Sequence, residues 1–322
     1  MEETTHPLDK YTFDQKIGHG KFAQVFLATK NKQLKAIKKI DLEDENVTLT
    51  NLRNEVLFVK KCKHKNIMDI LESFCHQNFI YIVMPFMNIG SLENLIQMRK
   101  SAILDQNRLE PLLPEEPLFK QNWIGAIFSE ICQGIHYLHK NNLIHRDIKS
   151  PNIFLNTDGC IKIGDFGIVR NKDYDLISRK TGQICHTFTG TLYWMAPEVM
   201  SHQGYSEKID IWSLGICLLE LIMGCTPYCR ERPMKVLLRT IRDEPPNLDT
   251  YKEFISDVNN QTKFIGQSIR SISRKLLQKD PNLRPSAKKC LEFPFIKKYS
   301  DSDNNKKIVR DEIIPTIAKY LL

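Results

Sequence analysis

His145-Arg146-Asp147-Ile148-Lys149-Ser150-Pro151-Asn152, with Asp165-Phe166-Gly167 following, is the stretch on which the reading of this chain turns. Phosphoryl transfer asks little covalent work of a protein. It needs metal ions bridging the phosphates, a cation on the developing charge and a carboxylate that orients the attacking hydroxyl. Asp147 suits acceptance of the hydroxyl proton, and Lys149 suits neutralisation of the γ-phosphoryl group. Asn152 and Asp165 offer the hard oxygen ligands that Mg²⁺ prefers. An isolated loop aspartate is ordinarily just solvated, so the weight rests on two matched blocks at this separation.

Upstream, Gly18-His19-Gly20-Lys21-Phe22-Ala23 is a G-x-G-x-x-A turn whose small residues let backbone amides approach phosphate oxygens. Alone it is weak, because the same pattern opens dinucleotide-binding folds. There a helix must follow. Here Gln24-Val25-Phe26-Leu27-Ala28 reads as a strand, which makes the turn a phosphate-covering hairpin. Lys38 ends an apolar strand, within reach of α- and β-phosphates if a carboxylate holds it; Glu55, on a helical stretch near Leu52 to Lys61, is the candidate.

Downstream, Gly190-Thr191-Leu192-Tyr193-Trp194-Met195-Ala196-Pro197-Glu198 closes a segment that begins at Asp165 and resembles the activation segment of protein kinases. Asp210 and Arg284 match two further positions of that family, the first bracing the catalytic loop backbone and the second pairing with Glu198. The resemblance covers about Tyr11 to Lys298. It implies an α+β, bilobal fold, with a β-rich N-lobe over about 11–84 and a mainly helical C-lobe over about 88–298. Residues 1–10 are then a polar tail and 299–322 a C-terminal tail with a short helix. ATP and Mg²⁺ are the implied cofactors. The nucleotide would meet Ile17, Gly18, Gly20, Ala23, Val25, Ala36 and Lys38, with Met84, Phe86 and Met87 at the connecting strand.

Lys149 two residues after Asp147, together with Thr191, marks serine/threonine specificity in that family. Thr187 to Val199 and Gly204 to Gly215 are similar to the sterile-20-like group. Pro233 to Leu248 and Ala23 point within it to the oxidative-stress-responsive and Fray-like branch. Thr189 departs from that pattern, standing where relatives have an apolar residue. The resemblance makes Thr187 a candidate activating phosphosite, its phosphate facing Arg146. It implies protein substrates, an upstream activating kinase and a scaffold partner. Relatives carry a further C-terminal docking domain, for which no room is expected here. Alternatives are a pseudokinase scaffold, a kinase upstream in a MAP-kinase cascade, and a dinucleotide-binding enzyme. The first usually lacks a catalytic residue, whereas Lys38, Glu55, Asp147, Asn152 and Asp165 are all present.

The bulk properties fit this reading. The 322 residues leave room for a large core, with 42% hydrophobic and 26% charged residues. A net charge of +8 is scattered, without an arginine-rich arm, so no nucleic-acid binding is expected. Nine cysteines form no Cys-x-x-Cys pair, the closest being Cys225 and Cys229, and reduced thiols are expected. No signal peptide or lipid anchor is expected, nor membrane insertion, and a cytoplasmic or nuclear protein follows. The apolar run from Ile209 to Cys225, interrupted by Asp210 and Glu220, reads as a buried helix. Ile124, Ile127, Phe128, Ile131, Ile135 and Leu138 fall on one face of another helix. Arg99 to Gln121, with three prolines, reads as an inserted surface loop. The tail beginning Ser300-Asp301-Ser302-Asp303 reads as a solvated linker before Ile308, Ile313, Ile314, Ile317 and Leu321, whose helical spacing suits docking on the body or on a partner.

Overall fold

The computed structural model describes residues 7–19, 23–43, 56–57, 59–106, 118–165, 170–171, 192–248 and 265–321. They fall into two compact units that divide between Asn88 and Ile89.

The first unit is an antiparallel sheet of β1 (Thr12–His19), β2 (Ala23–Lys30), β3 (Gln33–Asp41), β4 (Glu72–His76) and β5 (Phe79–Pro85), in the order β1-β2-β3-β5-β4. β2 and β3 join through Asn31 and Lys32, both left-handed at φ 50° and 62°, a two-residue turn that matches the twist of the strands. Because side chains alternate, one face buries Tyr11, Ala28, Ile37, Tyr81 and Val83, with Leu8 and Phe74 packed against them. The register Gly18↔Val25↔Lys38↔Ile82 and Leu27↔Ala36↔Met84 puts Val25, Ala36, Lys38 and Met84 together on the other face.

The second unit is mainly helical: α1 (Leu92–Gln106), α2 (Gln121–Lys140), α3 (Lys208–Met223), α4 (Pro233–Arg242), α5 (Gln267–Leu276) and α6 (Ser302–Lys307), with shorter turns between. Small ladders accompany them. β6 (Gly90–Ser91) pairs with β8 (Ile153–Leu155), which pairs with β9 (Ile161–Ile163); β7 (Leu143–Ile144) pairs with β10 (Arg170–Asn171). The apolar face expected on α2 is buried from Ile124 to Leu138. α3 is buried on all sides from Ile209 to Met223. It stops at Gly224, whose φ of 76° frees its N–H to return to Glu220 O at 2.7 Å.

Two sequence expectations need correction. Arg99 does not open a surface loop, for α1 runs on to Gln106. Leu92, Leu95, Ile96, Ala102 and Ile103 keep helical spacing on the buried stripe. Arg99 lies on the same stripe and breaks the pattern with a charge; it donates from Nε to Leu118 O at 3.1 Å and stacks on Trp123. Nor is the start of the tail a solvated linker. Asp301 caps α6 by accepting from the Asp303 and Asn304 amides. The buried carboxylate of Glu130 on α2 draws the segment in, accepting Ser302 Oγ at 2.7 Å and Asn305 Nδ2 at 2.8 Å. The rest of the tail docks on the body: Ile308, Val309, Ile313 and Ile317 are buried, and Glu312 accepts Trp123 Nε1 at 2.8 Å. Gly125 is the close-approach point, since a Cβ there would sit 2.1 Å from the Tyr299 ring.

Candidate active site

The loop from His145 to Asn152 links β7 to β8 and is held from beneath by Asp210. Asp210, fully buried near the start of α3, accepts His145 N at 2.9 Å and Arg146 N at 2.8 Å, and meets His139 Nε2 at 2.8 Å. Burial pushes its pKa up, but the His139 hydrogen bond and the His145 contacts outweigh burial and hold it below the usual carboxylate value. These bonds over-determine a loop in which Arg146 has a left-handed φ of 71°. Burial keeps the His145 imidazole neutral, by lowering its pKa. Nδ1 can then accept Asp147 N at 3.3 Å while Nε2 donates to Gly164 O at 3.1 Å.

Asp147 is 6% exposed. Its Oδ2 accepts Asn152 Nδ2 at 2.9 Å and pairs with Lys149 Nζ at 2.7 Å, while Oδ1 is buried without a hydrogen-bond partner among the described residues. An orphaned carboxylate oxygen is costly unless something outside the chain fills the role, and a substrate hydroxyl would. Asn152 spends its Nδ2 on Asp147, so its Oδ1 is the group left for a metal. The β8–β9 ladder pairs Ile153 with Ile163 and brings Gly164 N to Asn152 O at 2.8 Å, so that Asp165 follows directly beside Asn152. Asp165 is exposed, with a left-handed φ of 56°. Amide oxygen plus carboxylate is a donor set that fits Mg²⁺, phosphates and water completing its shell. Phe166 and Gly167 lie outside the described residues.

Two further buried carboxylates of this unit are paired, one of them with the loop. Glu198 receives both Nη atoms of Arg284, at 2.6 and 2.8 Å, and the rest of the guanidinium is spent on the carbonyls of Gln278, Lys208 and Lys279. This is the pairing the sequence suggested. Glu220 is a site residue that sequence reasoning missed: Oε1 accepts Ser150 Oγ at 2.6 Å and Oε2 accepts Trp194 Nε1 at 3.1 Å. Burial pushes its carboxyl up to about 7, against the two hydrogen bonds. Its signal was a charge in an otherwise apolar helix, read only as an interruption. The His139 contact with Asp210 carried no sequence signal.

In the first unit, Lys38 shares its sheet face with Val25, Ala36 and Met84, next to Gly18 in register. Ala23 starts β2 on that face, opposite Ile40. Ile17 is exposed, Phe86 half-buried and Met87 buried. Gly20, Glu55 and Thr187 lie outside the described residues.

Residues 11–296 match the family described as Protein kinase domain. The chain is 39% identical over 298 residues to germinal center kinase 3 of Caenorhabditis elegans, an alignment covering 90% of this chain and 48% of that protein. It is 34% identical over 299 residues to serine/threonine-protein kinase fray2 of Dictyostelium discoideum, covering 92% of this chain and 26% of that protein. Serine/threonine-protein kinase sid1 of Schizosaccharomyces pombe is 33% identical over 302 residues, 91% and 55% of the two chains. This chain thus spans from about a quarter to about half the length of these relatives. A loop of this construction, within a match that runs nearly end to end, leaves one conclusion: the chain belongs to the protein kinase family, and its relatives are sterile-20-like kinases.

Proposed function

We propose that this protein transfers the γ-phosphate of Mg-ATP to serine and threonine hydroxyls of protein substrates, with residues 11–298 as the catalytic domain, a span whose residues 11–296 match the family. The observation that carries the reading is the state of Asp147, whose Oδ2 is engaged by Asn152 and Lys149 while its buried Oδ1 has no hydrogen-bond partner among the described residues. Oδ1 is the acceptor for the substrate hydroxyl, orienting it and taking its proton as the oxygen attacks phosphorus. Lys149 moves its ammonium from Asp147 to the transferring group, offsetting charge that builds there. Asn152 and Asp165 would hold Mg²⁺, which when bound neutralises the phosphate oxygens. Lys38, with Glu55 as its partner, steadies the α- and β-phosphates under the turn from Gly18 to Ala23. Ile17, Val25, Ala36, Met84, Phe86 and Met87 enclose the adenine.

Control enters through Thr187, which an upstream kinase phosphorylates, bringing nearly two negative charges to Arg146. A scaffold partner and a role in a signalling or stress-response cascade complete this reading. Free cysteines among the described residues support a reducing compartment, cytoplasm or nucleus. Among the described residues no helix is long and apolar enough to cross a membrane.

The test is transfer of labelled γ-phosphate to a generic basic protein, comparing wild type with Asp147→Asn and identifying the labelled amino acid. Expected is phosphoserine or phosphothreonine that falls by about 10²-fold or more in the variant, with an unchanged melting temperature. No transfer, even after Thr187 has been phosphorylated by an added kinase, would turn the reading to a scaffold.

A further inference from the structure

Beyond the active site, two thiols stand together where α3 gives way to α4. Gly224 ends α3, and Thr226-Pro227-Tyr228-Cys229 then folds into a β-turn closed by Cys229 N donating to Thr226 O at 3.3 Å. Proline at the second position and a left-handed residue at the third are the marks of a type II turn; the third is Tyr228, at φ 60°. The turn folds Cys229 back beside Cys225, and the two sulfurs hydrogen-bond to each other. Cys229 is exposed and Cys225 half-buried, so an oxidant from solvent reaches one thiol while the other waits behind it.

The surroundings suit that division of labour. The Cys225 hydrogen bond lowers the Cys229 pKa to about 6 despite partial burial, with Arg230 and Lys100 adding positive charge. Lys100 is placed there independently, because a Cβ at Gly224 would lie 3.4 Å from its Nζ. Burial and the shared hydrogen bond push the Cys225 thiol up, as fits a resolving partner.

The turn also touches the catalytic frame. Tyr228, between the two cysteines, is buried against Leu192, Met200 and Val236. Leu192 opens the short turn Leu192–Trp194, and Trp194 donates to Glu220, which in turn holds Ser150 of the catalytic loop. We propose that Cys225 and Cys229 form a reversible intramolecular disulfide in response to a hydroperoxide, and that closing it moves Tyr228 against Leu192 and slows phosphoryl transfer. The second clause rests on the kinase reading; the first does not.

The chemistry balances with hydrogen peroxide as oxidant. The Cys229 thiolate attacks a peroxide oxygen, the O–O bond breaks, and hydroxide leaves to become water, giving a sulfenic acid. Cys225 sulfur then displaces the sulfenic hydroxyl, its thiol proton leaving with that group as a second water. Two thiols are oxidised by two electrons and one peroxide is reduced to two waters.

The experiment treats the full chain with hydrogen peroxide and maps the product by peptide mass spectrometry, with and without dithiothreitol, for wild type, Cys225→Ser and Cys229→Ser. Expected is a peptide spanning both cysteines that has lost two hydrogens in wild type alone and regains them with dithiothreitol. In Cys225→Ser, Cys229 should instead pass to higher acids. Peroxide that leaves both thiols reduced, or over-oxidises Cys229 in wild type without a link, overturns the site. Where the link forms, kcat for a protein substrate should fall about threefold or more and recover on reduction, an effect absent from both variants. An unchanged kcat in the linked protein overturns the coupling. A reduced wild type with no transferase activity counts against the kinase reading, while the mass shift still decides the disulfide.

Discussion

Replacing Glu220 by Gln should alter how stability depends on pH. Glu220 is 6% exposed inside α3, accepting from Ser150 and Trp194, and burial pushes its carboxyl from the usual 4.5 to about 7. The folded chain therefore holds this proton more tightly than the unfolded chain. Stability tied to the proton is fully present below about pH 4.5 and is lost as pH rises through about 7. Over that window the loss amounts to roughly 3 kcal/mol. Gln is neutral throughout and fits the same bonds, its Nε2 donating to Ser150 Oγ and its Oε1 accepting Trp194 Nε1. The assay is urea unfolding of both proteins from about pH 5 to about pH 8, reading the difference between them so that other titrating groups cancel. The difference should move in the variant's favour by roughly 2.5 kcal/mol on going to the alkaline end. Curves that stay parallel within about 0.5 kcal/mol would refute a buried carboxyl that gains its proton on folding.

Two further substitutions probe the frame. Arg284→Met leaves Glu198 buried with no guanidinium opposite it, and denaturant unfolding should show a loss of about 3–5 kcal/mol, as expected when one member of a buried pair is removed. Ile313→Ala, at a fully buried tail position, should cost about 2–5 kcal/mol in the same assay; a cost near zero would mean that the tail does not form part of the folded body.

The family was legible without coordinates. The blocks at His145 to Asn152 and at Asp165 pointed to it, because phosphoryl transfer needs those functional groups and few others offer them. The strand after Ala23 argued against a dinucleotide fold, in which a helix must follow; helical spacing marked the apolar face of α2, and a run of apolar residues marked α3 as a buried helix. Where a charge lay on the inward stripe, as Arg99 does in α1, the same method failed, because periodicity counts apolar residues and cannot see that a guanidinium will find a carbonyl.

What only the folded chain decided is which buried polar groups find each other across long separations. Glu130 takes Ser302 and Asn305, Glu220 takes Ser150 and Trp194, and Asp210 takes His139. None of these partners is near in sequence, and none follows from residue type. A buried carboxylate must be satisfied, but its partner depends on packing that the apolar pattern leaves open. The sequence therefore determined the family and the helices and strands that carry the loop from His145 to Asn152. The tertiary structure determined how the catalytic loop is braced, that the tail belongs to the body, and that a proline turn brings Cys229 back to Cys225.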